Sequence, residues 1–434
     1  MAMMNNIVEL NYPITFRSND AQRIGENLKN RNSIVLIGMK RVGISNFLRF
    51  FLYHNEIVPK YIGDNKSHLF IPIDLNDLVE RETYSFWRLT LKRIVDATAK
   101  TSISGLIKKR IESFFLSSIQ SRDLFTTIDC VRDALVLLVN NNILPTLFFI
   151  RFDRMKNAIN QEFFHNLQGL KDATHQNLAY VFTSSRSLGN IAPEVFTKAS
   201  LAFFCQDIYI KPTDRKDSKI IFKTYSANYR LSMDPAIEEA FFDIVDGYVQ
   251  YLHLALIFLH EAKLPVKTRV ELFDGLLNDE RIYLQSEELW ESLILEEKNV
   301  LLCVSKGKDV SRDSRMIAKY LWDTGFIIEK NNKRTLFSPL FGLFLKQQEL
   351  KENKEGIDFT KKEHLLFTYL SENKNNICER EKIVEAVWPE MEEMGVSDWA
   401  IDRLVARVRG KLRLQKSNQA IQTIRTRGYK LIML

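Results

Sequence analysis

The chain has 434 residues, with 61 Lys and Arg against 54 Asp and Glu, a formal net charge of +7 and an apolar share of 45%. These are ordinary globular values that exclude a disordered chain, and no run approaches the roughly 18 apolar residues that a membrane span needs. At roughly 150 residues per domain the length predicts two to four domains. With only 16 Gly and 10 Pro, helices are favoured over a β-sandwich. Cys130, Cys205, Cys303 and Cys378 are widely separated and show no Cys/His spacing for zinc. No metal site is therefore expected, and buried free thiols suit a reducing cytoplasm. The opening stretch has no basic segment followed by an apolar core, so no signal peptide is expected.

Through the first half, short runs rich in Ile, Val and Phe at 33–38, 68–75, 146–152, 178–183 and 202–210 alternate with helical periodicity at 47–54, 84–98 and 123–140. That alternation predicts crossover connections and a mostly parallel sheet, with ligands at the carboxyl ends of its strands. After the first strand, Gly38-Met39-Lys40-Arg41-Val42-Gly43-Ile44-Ser45 keeps both glycines and the hydroxyl of G-x-x-x-x-G-K-[ST]. Ile44 stands where the lysine belongs. Such a loop works because backbone N–H groups and a helix N-terminus surround phosphates. Ser45 would hold Mg²⁺, and Lys40 or Arg41 is the candidate to replace the missing charge. The bland alternative is a retained turn that binds nothing.

These segments resemble AAA-like and STAND-type P-loop NTPases from about Phe16 to Lys346. Phe16-Arg17 with Ile24 and Leu28 is similar to the short box before the first strand of that family. Residues 181–186 (VFTSSR) are similar to its sensor strand, and Asp246-Gly247-Tyr248-Val249 to the start of its lid helix, with the usual Gly-Gly-x-Pro altered. On that resemblance Ile150 and Arg151 occupy the two acidic positions that hold Mg²⁺, and only Asp153 survives. An arginine there repels a metal. The resemblance thus implies a degenerate NTPase scaffold with no catalytic residue. Gly38, Lys40, Arg41, Gly43, Ser45 and Asp153 are its nucleotide-binding candidates, with ATP or ADP as the cofactor class and no efficient hydrolysis. A working, nucleotide-switched ATPase is the rival reading.

From 213 to about 262 the chain reads as helical, with an aromatic stripe expected to be core. His253 and His260 lie within it and are expected at the core or its rim. Helices at 293–304 and 311–324, followed by a hairpin at 326–329 and 335–337, form a winged-helix-like unit. Its Arg312, Arg315 and Lys319 are offset by Asp309, Asp313 and Asp323, so a packing role is expected. The polar stretch 347–358 is the linker candidate.

The last segment contains Thr360-Lys-Lys-Glu363-His-Leu-Leu366, a helix ending in Val387-Trp388, then residues 396–412 (VSDWAIDRLVARVRGKL) and 421–434 (IQTIRTRGYKLIML). It closely resembles, in order and spacing, the winged-helix DNA-binding domain of OmpR/PhoB-type response regulators. Periodicity alone predicts a buried stripe of Ile401, Val405, Val408 and Leu412. Trp399, Arg403, Arg407, Gly410, Lys411 and Leu414 then face outward, as a helix in the major groove requires. Trp399, Arg403, Arg407, Arg409, Lys411, Arg425, Arg427 and Tyr429 are the DNA candidates. The resemblance places Arg425 in the minor groove, and Thr426 replaces the first glycine of the family's turn. Residues 403–434 hold nine Lys and Arg and no Asp or Glu, so the rest of the chain sums to −2. Solvated surfaces normally mix signs.

The fold class expected is α/β plus α-helical: a P-loop NTPase-like parallel-sheet domain (1–212), a helical lid (213–290), a winged-helix-like unit (291–346), a linker (347–358) and a C-terminal winged helix (359–434). The function expected is a cytoplasmic DNA-binding regulator whose partners are double-stranded DNA and either further copies of itself or another protein, with no membrane. The alternative is a DNA- or protein-binding component of a mobile-element or defence assembly.

Overall fold

The structure is a computed structural model. It describes the chain except residues 1–6, 65, 198–200, 202–203, 232, 263–265, 331–332, 354–358, 389–397, 415–416, 425–426 and 434. The chain divides into two compact units, Met1–Leu345 and Lys346–Leu434. Among the described residues no helix is long and apolar enough to cross a membrane.

The first unit is built on a five-stranded sheet, β1 (Ser33–Ile37), β2 (Ser67–Asp74), β3 (Ile143–Ile150), β4 (Ala179–Ser184) and β5 (Cys205–Tyr209), in the order β2-β3-β4-β1-β5. Every pairing is parallel, as the alternation of strands and helices predicts. Along β1 the side chains alternate between two cores: Ile34 and Leu36 enter one, Val35 and Ile37 the other. A strand buried on both faces reads as a continuous apolar run, which is why SIVLI was legible. The first core continues into the helices Pro235–Val245, Val249–Glu261 and Glu280–Glu291 and into the hairpin unit, where Tyr251 stacks on Phe337.

Several boundaries differ from expectation for identifiable reasons. β3 starts at Ile143 and carries Pro145 inside an interior strand, a residue that normally argues against one. The Pro145 carbonyl is bonded by the Arg31 guanidinium, which also reaches Thr146 Oγ1 at 3.3 Å. β3 stops at Ile150 because Arg151 takes a left-handed conformation, φ 62°. The helix Gly105–Ser121 was not anticipated; Leu106 and Leu116 on it are exposed, so its apolar pattern is blurred. The single helix expected at 311–324 is two, Arg312–Ile317 and Lys319–Asp323, because the Leu321 amide turns to the Ala318 carbonyl at 2.9 Å. A short antiparallel hairpin follows, β6 (Ile327–Lys330) and β7 (Lys333–Leu336). The linker candidate is helical as far as Asn353, continuing Pro339–Asn353, and 354–358 lie outside the described residues. Gln, Glu and Lys favour helix, so polarity without Gly or Pro does not end one.

All four cysteines are free; Cys130 and Cys378 are buried, while Cys205 and Cys303 are only partly so.

The second unit has the helices Lys361–Glu372, Arg380–Val387 and Asp398–Leu414 and a sheet of β8 (Cys378–Glu379), β9 (Gln419–Ile424) and β10 (Gly428–Met433) in the order β8-β10-β9, all antiparallel. Its own core gathers Leu366, Leu370, Ile383, Leu404, Val405 and Leu431. Gly428, φ 148°, passes so close to β8 that a Cβ would lie 2.0 Å from the Cys378 carbonyl oxygen. Only glycine allows that approach.

Candidate functional site

Two sites merit description, one in each unit. In the first unit the carboxyl ends of β1, β3 and β4 open into a cleft of about 600 Å³. The loop Gly38–Gly43 forms one wall, Ile150, Arg151, Asp153 and Arg154 another, and Thr183–Ser185 the floor between them. Gly43 has φ 106°, and the helix Ile44–Tyr53 starts at the next residue, so its amide end points to the cleft. A Cβ on Gly43 would meet Val249 Cγ2 at 2.6 Å, so the helix Val249–Glu261 presses directly on the loop.

All six nucleotide candidates, Gly38, Lys40, Arg41, Gly43, Ser45 and Asp153, line this cleft. The two basic ones, however, are engaged by the protein itself. Glu288, from the helix Glu280–Glu291, receives Arg41 Nε at 3.0 Å and Lys40 Nζ at 3.7 Å, and its side chain is 9% exposed. The same helix supplies Gln285, which donates to Tyr248 Oη at 3.0 Å; Tyr248 Oη donates to the Lys40 carbonyl at 2.6 Å. Nothing in the local sequence of the loop signals this carboxylate, which lies 247 residues away from Arg41.

At the acidic positions, Arg151 pairs with Asp74, and Arg154 Nη1 donates to Asn76 Oδ1 at 2.5 Å. Asp153 accepts from Ser185 Oγ at 3.1 Å. His253 lines the cleft beside Tyr225, and burial lowers its pKa, favouring the neutral ring. The next residue of the sensor-like strand turns away from the cleft. Arg186 makes two bonds to the Glu297 carboxylate, at 2.6 and 2.7 Å, one to the Ser292 carbonyl at 2.7 Å, and lies 3.8 Å over the Tyr320 ring. It ties the end of β4 to the helix Leu295–Ser305 of the hairpin unit.

In the second unit the helix Asp398–Leu414 carries the expected stripe, and Leu404 joins it in the core. The basic residues do not share one face. At about 100° per residue, Arg403 lies opposite the stripe, Arg407 and Lys411 on one flank and Arg409 on the other. The structure agrees. The Glu363 carboxylate, 2% exposed, receives Lys411 Nζ at 2.5 Å and lies 3.5 Å from Arg407 Nε. Arg409 donates to the Ile421 carbonyl at 2.7 Å and to Thr423 Oγ1 at 2.8 Å on β9. The expectation that Arg407 and Lys411 face solvent is therefore corrected: both are half-buried props between helices. Asp402, Ala406 and Gly410 are the exposed positions on the described part of this helix, with Arg403, Arg407, Arg409 and Lys411 all intermediate.

Tyr429, expected at the DNA surface, is also corrected. It is buried, its hydroxyl bonded to Asp402 and accepting from Arg380 at 3.1 Å, and burial followed by Asp402 pushes its pKa up to about 12. Arg427 is exposed beside β10. Arg425 lies outside the described residues; Trp399 is within the helix, but its side chain is not described. Trp388 packs in the core with Lys362 Nζ 5.3 Å over its ring.

Comparison with known proteins agrees with both halves of this geometry. Residues 353–431 match the family model described as "Transcriptional regulatory protein, C terminal". Response regulator ArlR of Staphylococcus haemolyticus is 34% identical over 77 residues, 18% of this chain and 34% of its own length. The chain thus spans about a third of that relative. Among solved structures, a Walker-type ATPase of Pyrococcus abyssi is similar in fold, with a TM-score of 0.52 at 17% identity, covering 77% of this chain and 96% of its own. The chain joins a module with the fold of P-loop ATPases to an OmpR/PhoB-type winged-helix domain of the kind that ends transcriptional regulatory proteins.

Proposed function

We propose that the protein is a transcriptional regulator whose C-terminal winged helix binds duplex DNA, while its P-loop module, a degenerate one, serves as sensor or self-association platform. The divisions 1–212, 213–290, 291–346, 347–358 and 359–434 are its working parts on this reading. The observation that carries it is the nine Lys and Arg, with no Asp or Glu, in residues 403–434 of a winged-helix fold. Positive charge gathered in the last helix and hairpin of this unit attracts phosphates, and the chain before Arg403 sums to −2. A single winged helix reads a short site, which favours binding by more than one copy.

Within the interface the roles divide by placement. Arg403 on the outer face and Arg427 beside the hairpin reach DNA directly, with Arg425 and Trp399 as further candidates. Arg407, Arg409 and Lys411 hold the helix in position. Fluorescence anisotropy of full-length protein on a labelled duplex tests this division. Arg403→Ala is expected to weaken binding by about 1–3 kcal/mol in a site-dependent way, and Arg427→Ala to reduce the salt slope by about one. Parent-like binding by both variants would remove the proposed interface.

The cleft candidates Gly38, Lys40, Arg41, Gly43, Ser45 and Asp153 are read as a site for ATP or ADP without efficient turnover. Their support is the glycine loop at a helix N-terminus, set against an altered lysine and acidic pair.

A further inference from the structure

If the cleft is a nucleotide site, as proposed above, its residues also decide how the phosphates are held. P-loop sites ordinarily neutralise the terminal phosphates with a lysine and a Mg²⁺ ion. Mg²⁺ needs oxygen ligands in near-octahedral array. At the metal's side of this cleft the usual acidic pair is replaced by Ile150, which offers no oxygen, and Arg151, a cation, leaving the Ser45 hydroxyl and Asp153, which accepts from Ser185. Among the described residues no group of three His, Cys, Asp or Glu could hold a metal. With a guanidinium where a metal-binding carboxylate belongs, like-charge repulsion disfavours Mg²⁺ here.

The same positions fit an anion. Arg151 and Arg154 face the cleft from the end of β3, and Lys40 and Arg41 face it from the loop. Against these four cations the cleft lining holds two carboxylates, Asp153 and Glu288, and Asp74 at the end of β2 pairs with Arg151, so one positive charge is left over. Burial and repulsion from Arg81 and Arg151 lower the pKa of Arg154, so an anion placed here would relieve an existing strain between like charges. Glu288 already exploits the field, sitting on Lys40 and Arg41 where a phosphate would otherwise bond.

We propose that this cleft binds the polyphosphate of a nucleotide without a divalent cation, Arg151 and Arg154 taking the metal's place, and that the phosphates displace the Glu288 carboxylate from Lys40 and Arg41. Guanidinium groups suit the task, being permanently charged and able to fork onto two phosphate oxygens. Because Glu288 stands on the helix Glu280–Glu291, its displacement also releases one lid contact, which links ligand to lid position.

Isothermal titration of full-length protein with ATP, once in Mg²⁺ and once in EDTA, tests this directly. Equal affinity in the two buffers is expected. Binding that disappears in EDTA overturns metal-independent capture while leaving the nucleotide reading intact. Absence of binding in both buffers overturns the nucleotide reading itself. The double variant R151Q/R154Q should lose affinity in EDTA by at least roughly tenfold, with no rescue by Mg²⁺, and E288Q should gain several-fold. Melting temperatures near the parent's confirm that both variants are folded. Rescue of R151Q/R154Q by Mg²⁺, or unchanged affinity in E288Q, contradicts the proposal.

Discussion

Replacing Glu363 with alanine is expected to destabilise the C-terminal unit by about 3 kcal/mol, more than any exposed charge in it could contribute. Glu363 performs two tasks at once. Its backbone amide donates to Thr360 Oγ1 at 3.4 Å and its carboxylate accepts from the Thr360 amide at 2.8 Å, a capping box that closes the helix Lys361–Glu372. The same carboxylate binds Lys411 and Arg407, so it clamps that helix to Asp398–Leu414. Removing it takes a shared carboxylate from two half-buried cations and leaves the Thr360 amide without the acceptor that closes the capping box. Amide hydrogen exchange of 361–372 in the full chain reads the loss locally, where a global melt would average it with the larger unit. Glu363→Gln should retain part of the cap and lose the ion pairs, falling between parent and alanine.

The pH dependence follows from the same residue. Burial alone would raise the Glu363 pKa, but the Lys411 bond, the Thr360 amide and the Arg407 charge outweigh it and hold the carboxyl below the ordinary glutamate value. A depressed carboxylate contributes stability that is complete above its unfolded pKa and disappears as pH falls through the folded one. Protection of 361–372 should therefore drop on acidification below the ordinary glutamate range. In Glu363→Gln that part of the acid response should vanish.

Arg186→Ala is expected to cost the first unit about 3–4 kcal/mol, because it leaves the Glu297 carboxylate, 2% exposed, without the guanidinium that bonds both its oxygens. Arg186→Lys should recover little, since an ammonium cannot fork onto the carboxylate or stack on Tyr320. Arg186→Met paired with Glu297→Met should recover most of the loss, because removing both charges leaves no buried ion unpaired. Urea unfolding of the full-length variants measures all three. A parent-like midpoint for Arg186→Ala would show that the pair does not hold β4 to the hairpin unit.

How much of this was legible in the sequence depends on whether the signal was periodic or positional. The five strands and the stripe Ile401, Val405, Val408, Leu412 could be read because burial repeats at fixed intervals along an element. Leu404 and the flank positions of Arg407 and Lys411 were available from the same arithmetic, had the helix been divided into four faces instead of two. Pro145 hid the start of β3 because a proline argues against an interior strand, yet β3 pairs with β4 only from Thr146 onward, so Pro145 has a strand neighbour on one side alone. Glu288, Asp74 and Glu363 were out of reach by pattern. Each meets its basic partner across a long separation in the chain; Thr360-x-x-Glu363 marks Glu363 as a capping residue, but nothing local marks any of the three as the partner of a distant cation. Those long-range carboxylates are what change the reading of both sites. Glu288 pairs with two nominal phosphate contacts, Lys40 and Arg41, and Glu363 with two nominal base contacts, Arg407 and Lys411.

The central claim is that the winged helix of this chain recognises duplex DNA. The most direct measurement is to select binders from a random-sequence duplex pool with the full-length protein and sequence what is retained. A regulator is expected to enrich one short motif, to lose that enrichment in Arg403→Ala, and to bind it less tightly as salt rises. Retention of unenriched sequence, or of no DNA at all, would contradict the account and assign the basic module to a partner other than a specific DNA site.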